Sequence, residues 1–133
     1  MLEYTIEAAM VPAQGGTATT HGATVPLDTT VAGLPDAFNP VELLLAGLAS
    51  CMLKGIERAA PMLGFSYRSA SITLHAARQD APPKLISIAY ELTIDTDEPD
   101  RRLELMHVNV RKYGTVSNTL AEAVPLSGTV RRA

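Results

Sequence analysis

Cysteine is almost missing from this 133-residue chain, which holds only Cys51. A lone thiol makes no internal disulfide and cannot assemble a thiolate metal site, so a reducing cytoplasm is the default setting. Tryptophan is absent, and the four tyrosines, Tyr4, Tyr67, Tyr90 and Tyr113, are scattered. They build no stacking platform for bases. No lysine or arginine precedes Lys54, although five carboxylates do. That asymmetry removes the positive start of a secretory leader and the arginines of a transit peptide. With a net charge of −3 and no basic cluster, the chain offers nothing to neutralise phosphates, and nucleic acid is not an expected partner. No apolar run reaches the ~18 residues that suggest a membrane span. His21, His75 and His107 are not spaced as metal ligands, so neither a metal nor a cofactor is expected.

What the chain does have is enough length and apolar content for one domain, residues 1–133, with a genuine core. Its organising stretch is N-P-V-E-L-L-L-A-G-L-A-S-C, from Asn39 to Cys51. Asn39 is a good N-cap, Pro40 suits the first helical turn, and Glu42 at N3 can reach back to the cap's N–H. The residues that follow are apolar or small as far as Leu53, so this helix wants burial on every side. It is expected from Pro40 to about Ala60, with Pro61 kinking or ending it and Gly64 as a C′ residue.

Before that helix, residues 2–11 alternate as a half-buried strand, Gln14-Gly15-Gly16 reads as a turn, and residues 17–20 continue as a second strand. Residues 23–30 make a third strand, placed at an edge by Pro26, and residues 31–38 form a loop. After it, residues 65–77 and 84–96 form an antiparallel hairpin around a turn at 80–83. Asp97-Glu98-Pro99-Asp100 opens a second helix. On it Leu103, Met106, His107 and Val110 recur at i, i+3, i+4 and i+7 as a buried stripe. Gly114 suits the left-handed position after that helix. Residues 115–124 give a short helix with Ser117-Asn118-Thr119 as caps, and residues 125–131 give a last strand. The order is β-β-β-α-β-β-α-α-β, an α+β fold.

The motif ending at Cys51, followed some 60 residues later by K-Y-G-T-V-S-N-T-L (residues 112–120), resembles the OsmC/Ohr family. The resemblance implies an OsmC-like fold in which the long central helices of two chains pack together in an intertwined homodimer. It also implies a thiol peroxidase that reduces organic hydroperoxides in oxidative-stress defence. The family's peroxidatic cysteine falls on Cys51. Its resolving cysteine falls on Gly114, since the family reads K-Y-C-P-V-S-N-T-L. Its glutamate directly follows Asn-Pro, which is Val41 here with Glu42 one position later. Its activating arginine belongs to the N-terminal strands, and this chain has no arginine before Arg58.

The candidate site therefore centres on Cys51 as nucleophile, its thiolate attacking a peroxide oxygen to give a sulfenic acid. With no second cysteine, an external thiol must resolve it. Lys54 and Arg58 lie at i+3 and i+7, on the cysteine's face, where they could favour the thiolate or simply reach to water. Glu42 lies nine residues earlier, about half a turn round the helix, and would act catalytically across a dimer interface or serve only as a cap. His107 could pair with the thiol or be a hydrogen-bonded core residue. The main reading is an enzyme acting on small organic hydroperoxides. The alternative is a non-catalytic protein that binds or senses a small apolar ligand in the same interfacial pocket.

Overall fold

The computed structural model describes residues Met1–Ala133. Its elements follow the expected order: β1 (Glu7–Val11), β2 (Gly15–Thr20), β3 (Ala23–Leu27), α1 (Pro40–Leu63), β4 (Ser69–Asp80), β5 (Pro83–Asp95), α2 (Asp100–Tyr113), α3 (Thr115–Ala123) and β6 (Leu126–Arg132). The chain forms two compact units, Met1–Ala46 and Gly47–Ala133.

In the first unit β1, β2 and β3 form an antiparallel meander with β2 in the centre. Pro26, which has no N–H to donate, lies opposite Thr17 on the edge strand β3, as expected. The first turn falls two residues earlier than the glycines suggest. Ala13 takes a positive φ of 64° and Gln14 N–H bonds to Val11 O at 3.0 Å, which frees Gly15 and Gly16 to pair in β2. Residues 2–6 stay outside the ladder, contrary to the expected strand over 2–11. Nor is β1 half-buried, since all five of its residues are exposed. In the following loop Asp28 Oδ1 accepts both the N–H and the hydroxyl of Thr30, and Thr30 Oγ1 accepts Gly33 N–H. The backbone N–H of Leu34, and then the Thr30 hydroxyl, hold the Asp28 carboxyl below its usual range.

In the second unit β5 is the central strand, antiparallel to β4 and parallel to β6. The alternation of residues 84–96 is realised: Ile88, Tyr90, Leu92 and Ile94 are buried on one face. Leu103, Met106 and Val110 of α2 join them, with Leu48, Met52, Ile56 and Ala59 of α1. These α1 positions fall at i, i+4, i+8 and i+11, so one stripe of α1 is buried rather than every side. Leu44 and Met62 are exposed in the single chain.

α1 runs through Pro61 to Leu63, three residues beyond expectation. A proline in the last turn costs only one helical bond near an end that already has unpaired carbonyls. Gly64 then takes φ +59°, as a C′ glycine does. The last turn of α1 has no basic residue. Arg102 of α2 supplies the cation, its Nη2 donating to Leu63 O at 2.7 Å and to Gly64 O at 3.0 Å. Glu98 holds Arg102 from behind, and the guanidinium, with Ser66 N–H, keeps the Glu98 carboxyl below its usual range. The buried Thr96 hydroxyl donates to Ser66 O and accepts Glu98 N–H, closing the junction.

The join between β5 and β6 depends on an absent side chain. Gly128 lies opposite Tyr90, and a Cβ built on it would fall onto the Tyr90 ring. Gly128→Ala must therefore push the ring or the strand aside, with an expected loss of about 1–3 kcal/mol of stability. The check is a urea midpoint, which should fall with little change in the slope of the transition.

Candidate functional site

Cys51 lies in α1 next to the buried Leu48–Met52 stripe and is itself half-buried. The neighbouring wall comes from α2. A Cβ built on Gly55 would stand 3.4 Å from both methyls of Val110, so the two backbones approach at that glycine. This crossing carries the end of α2 up to the sulfur. A Cβ built on Gly114 would lie 3.5 Å from Cys51 Sγ. The two motifs, some 60 residues apart in sequence, thus meet at one point.

Gly114 does not take the left-handed conformation expected of it. Its φ of −80° and ψ of 113° are extended, open to any residue, because α3 starts at the next position and the chain needs only one extended residue between the helices. Space requires the glycine instead. A Cβ there would run into Ser117 Oγ and come within 2.9 Å of Val110 O. Ser117 is buried and donates to Gly114 O at 3.0 Å, filling the room where a side chain at 114 would point. Ser117-Asn118-Thr119 are not caps, as α3 begins before them and shows no side-chain bond at its N-cap. Asn118 Nδ2 instead donates to Lys112 O at 3.1 Å, closing a carbonyl at the end of α2.

The other expected residues have defined partners. Glu42 accepts Asn39 N–H at 3.0 Å while Asn39 Oδ1 accepts Glu42 N–H at 2.8 Å, a complete capping box. Arg58 turns to the end of α2, donating to Asn109 Oδ1 at 3.0 Å and to Tyr113 O at 3.3 Å. Lys54 is exposed.

His107 Nε2 sits 2.5 Å from the hydroxyl of Tyr90, which also accepts from Arg111 Nη1 at 3.2 Å. The other ring nitrogen of His107, Nδ1, points away from the phenol. Glu104 Oε1 faces that nitrogen at 3.8 Å. His107 therefore belongs to a Tyr90–Arg111–Glu104 cluster, and its hydrogen-bonding nitrogens are directed there. Sequence reasoning missed Tyr90 and Ser117. The available signals were a single phenol among aliphatic inward positions of β5, and a small hydroxyl three residues after Gly114. No group of three or more His, Cys, Asp or Glu residues is arranged to hold a metal ion.

Two outcomes follow from this geometry. Gly114→Cys combined with Ser117→Ala, which clears the obstructing hydroxyl, should let Cys51 close a disulfide with the introduced thiol under mild oxidant. Peptide mapping checks this, and Gly114→Cys alone should close it more slowly. Burial is the main cause lowering the pKa of His107, with Arg111 acting the same way and Glu104 opposing. The unfolded chain therefore takes up this proton first. The contribution of His107 to stability is complete above about pH 6.5 and is lost as the pH falls from there through its folded value. Denaturation at about pH 8 and about pH 5.5 should show a smaller difference in His107→Gln, which keeps a polar group facing Tyr90.

The fold recurs among solved structures. An OsmC like protein from Mycoplasma pneumoniae shares 21% identity and a TM-score of 0.89, over 99% of this chain and 98% of that one. An organic hydroperoxide resistance protein OsmC from Legionella pneumophila is 21% identical with a TM-score of 0.72, over 98% of both chains. An organic hydroperoxide resistance protein from Elizabethkingia anophelis is 14% identical with a TM-score of 0.77, over 99% of both. At these identities the likeness speaks for the fold alone. No curated protein matches by sequence. Residues 33–128 match the family described as OsmC-like protein, and the chain belongs to that family.

Proposed function

We propose that the protein is a homodimeric thiol peroxidase that reduces organic hydroperoxides through Cys51, with an external thiol completing the cycle. The observation that carries this reading is the meeting of the two motifs at the sulfur. The end of α2 arrives beside Cys51 Sγ, yet the facing position is Gly114, so the chain brings no second thiol of its own. Two proteins of the same fold bear names that speak of organic hydroperoxide resistance.

In the first step the Cys51 thiolate attacks the terminal oxygen of ROOH. The O–O bond breaks, RO⁻ leaves and takes a proton to become ROH, and Cys51 becomes a sulfenic acid. An external thiol then condenses with it, releasing water and leaving a mixed disulfide. A second thiol attacks that disulfide, giving the external disulfide and restoring Cys51. The sum is ROOH and two thiols converted to ROH, one disulfide and water. A reducing cytoplasm would keep this thiol supplied. In this reading Glu42 serves as the helix cap and His107 as the partner of Tyr90.

Exposed apolar residues of the first unit point to a second copy. Leu2, Tyr4, Ile6, Met10 and Val11 are each at least half exposed, and β1 is exposed on both faces. A small sheet needs a covered apolar face to be stable, and a second chain would supply it. Native mass spectrometry after brief treatment with an organic hydroperoxide tests both claims together. The expected species is a pair of chains that has gained two oxygens quickly, one at each Cys51, with none gained in Cys51→Ser. Slow oxidation matching a free thiol, alongside saturable uptake of an apolar ligand, would overturn the peroxidase reading in favour of a binding protein.

A further inference from the structure

Five of the eleven lysines and arginines in this acidic chain are neutralised where they occur. Arg68, Arg78, Arg102, Arg131 and Arg132 each contact a carboxylate. Among the six that do not, Lys54, Arg58 and Lys112 are exposed and close in sequence to the residues around Cys51 or Gly114. Arg58 and Lys112 both lie against one ring. Arg58 Cζ lies 5.5 Å and Lys112 Nζ 5.3 Å from the centroid of Tyr113, whose ring is itself exposed. The acceptors that position Arg58, Asn109 Oδ1 and Tyr113 O, are neutral, so its charge is held in place but not cancelled. Two unpaired cations on an exposed aromatic form a ready seat for an anion with an apolar body.

The place of this seat gives it meaning. Tyr113 directly precedes Gly114, the residue that faces Cys51 Sγ. Along α1, Lys54 stands one turn and Arg58 two turns beyond Cys51, the latter about 10 Å away by helical rise. We infer that Arg58, Lys112 and Tyr113, with Lys54 between them and the sulfur, dock the carboxylate of a small peptide-like thiol that resolves oxidised Cys51. This rests on the peroxidase reading for the identity of the step, and the docking itself does not require it. The thiol attacks the Cys51 sulfenic acid, forming S–S and expelling water. Its carboxylate remains on the seat of Arg58 and Lys112 while the S–S bond forms at Cys51. Neutral thiols gain nothing from this seat. Anionic ones are concentrated beside the sulfur, and added salt should weaken the preference.

Thiol–disulfide exchange at reduced Cys51 tests the seat without peroxide. The probes are the dianionic 5,5′-dithiobis(2-nitrobenzoate) and the neutral 4,4′-dithiodipyridine, and the readout is the ratio of their rate constants in the same protein. That ratio cancels general changes in access. It should fall roughly fivefold or more in Arg58→Gln/Lys112→Gln and stay unchanged in Lys84→Gln, on the far hairpin. Lys112→Gln alone, an exposed change, should show a smaller fall and serves if the double variant does not fold. An unchanged ratio in both variants, or no reaction of either probe at Cys51, overturns the inference. A protein that shows the ratio change but takes no oxygen from hydroperoxide keeps the anion seat and loses the peroxidase reading.

Discussion

The approach of α2 to α1 at Gly55 is the constraint on which the site depends. A side chain larger than alanine there would press on both methyls of Val110 and lift the end of α2 away from Cys51. Because the helix is rigid over short distances, fixing Val110 at the crossing also fixes Gly114, one turn further on. Tyr113, Asn109 and Lys112 travel with it. Packing between two helices thus decides what faces the sulfur, and the hydrogen bonds of Arg58 to Asn109 and Tyr113 tie the same contact from its solvent side.

The glycine at 114 and the serine at 117 describe one volume between them. Ser117 is buried with its hydroxyl satisfied by Gly114 O, so the structure leaves no unpaired polar atom where a side chain at 114 would otherwise stand. A cysteine in that place would need the serine to turn away and lose its bond. The present arrangement is self-consistent without a second sulfur.

Much of the architecture was legible because it rests on local patterns. The period of two in β5, the stripe on α2, the Asn39–Glu42 box and the edge proline each state their own surroundings. The first unit is less legible. Residues 2–6 alternate as a strand does, but no ladder partner is present for them in one chain, and periodicity cannot reveal that. The extended conformation of Gly114 was hidden for a related reason. A glycine after a helix has two explanations, φ and space, and only the position of Ser117 distinguishes them. At the site, Cys51 and its meeting with position 114 were visible through family resemblance. The engagement of His107 with Tyr90 was not, since it depends on which strand lies beneath α2.

The closure of α1 by Arg102 has a bearing on how the chain is made. The bond from Arg102 to Leu63 O spans 39 residues, and the helix has no basic side chain of its own in that turn. Leu63 emerges from the ribosome ahead of Arg102, by the 39 residues that separate them. During that interval the tail of the helix has only water for a partner, and its apolar stripe lacks the strands that will cover it. The nascent polypeptide must therefore pass through a stage with its sulfur-bearing segment unfinished, and completion waits on translation reaching α2.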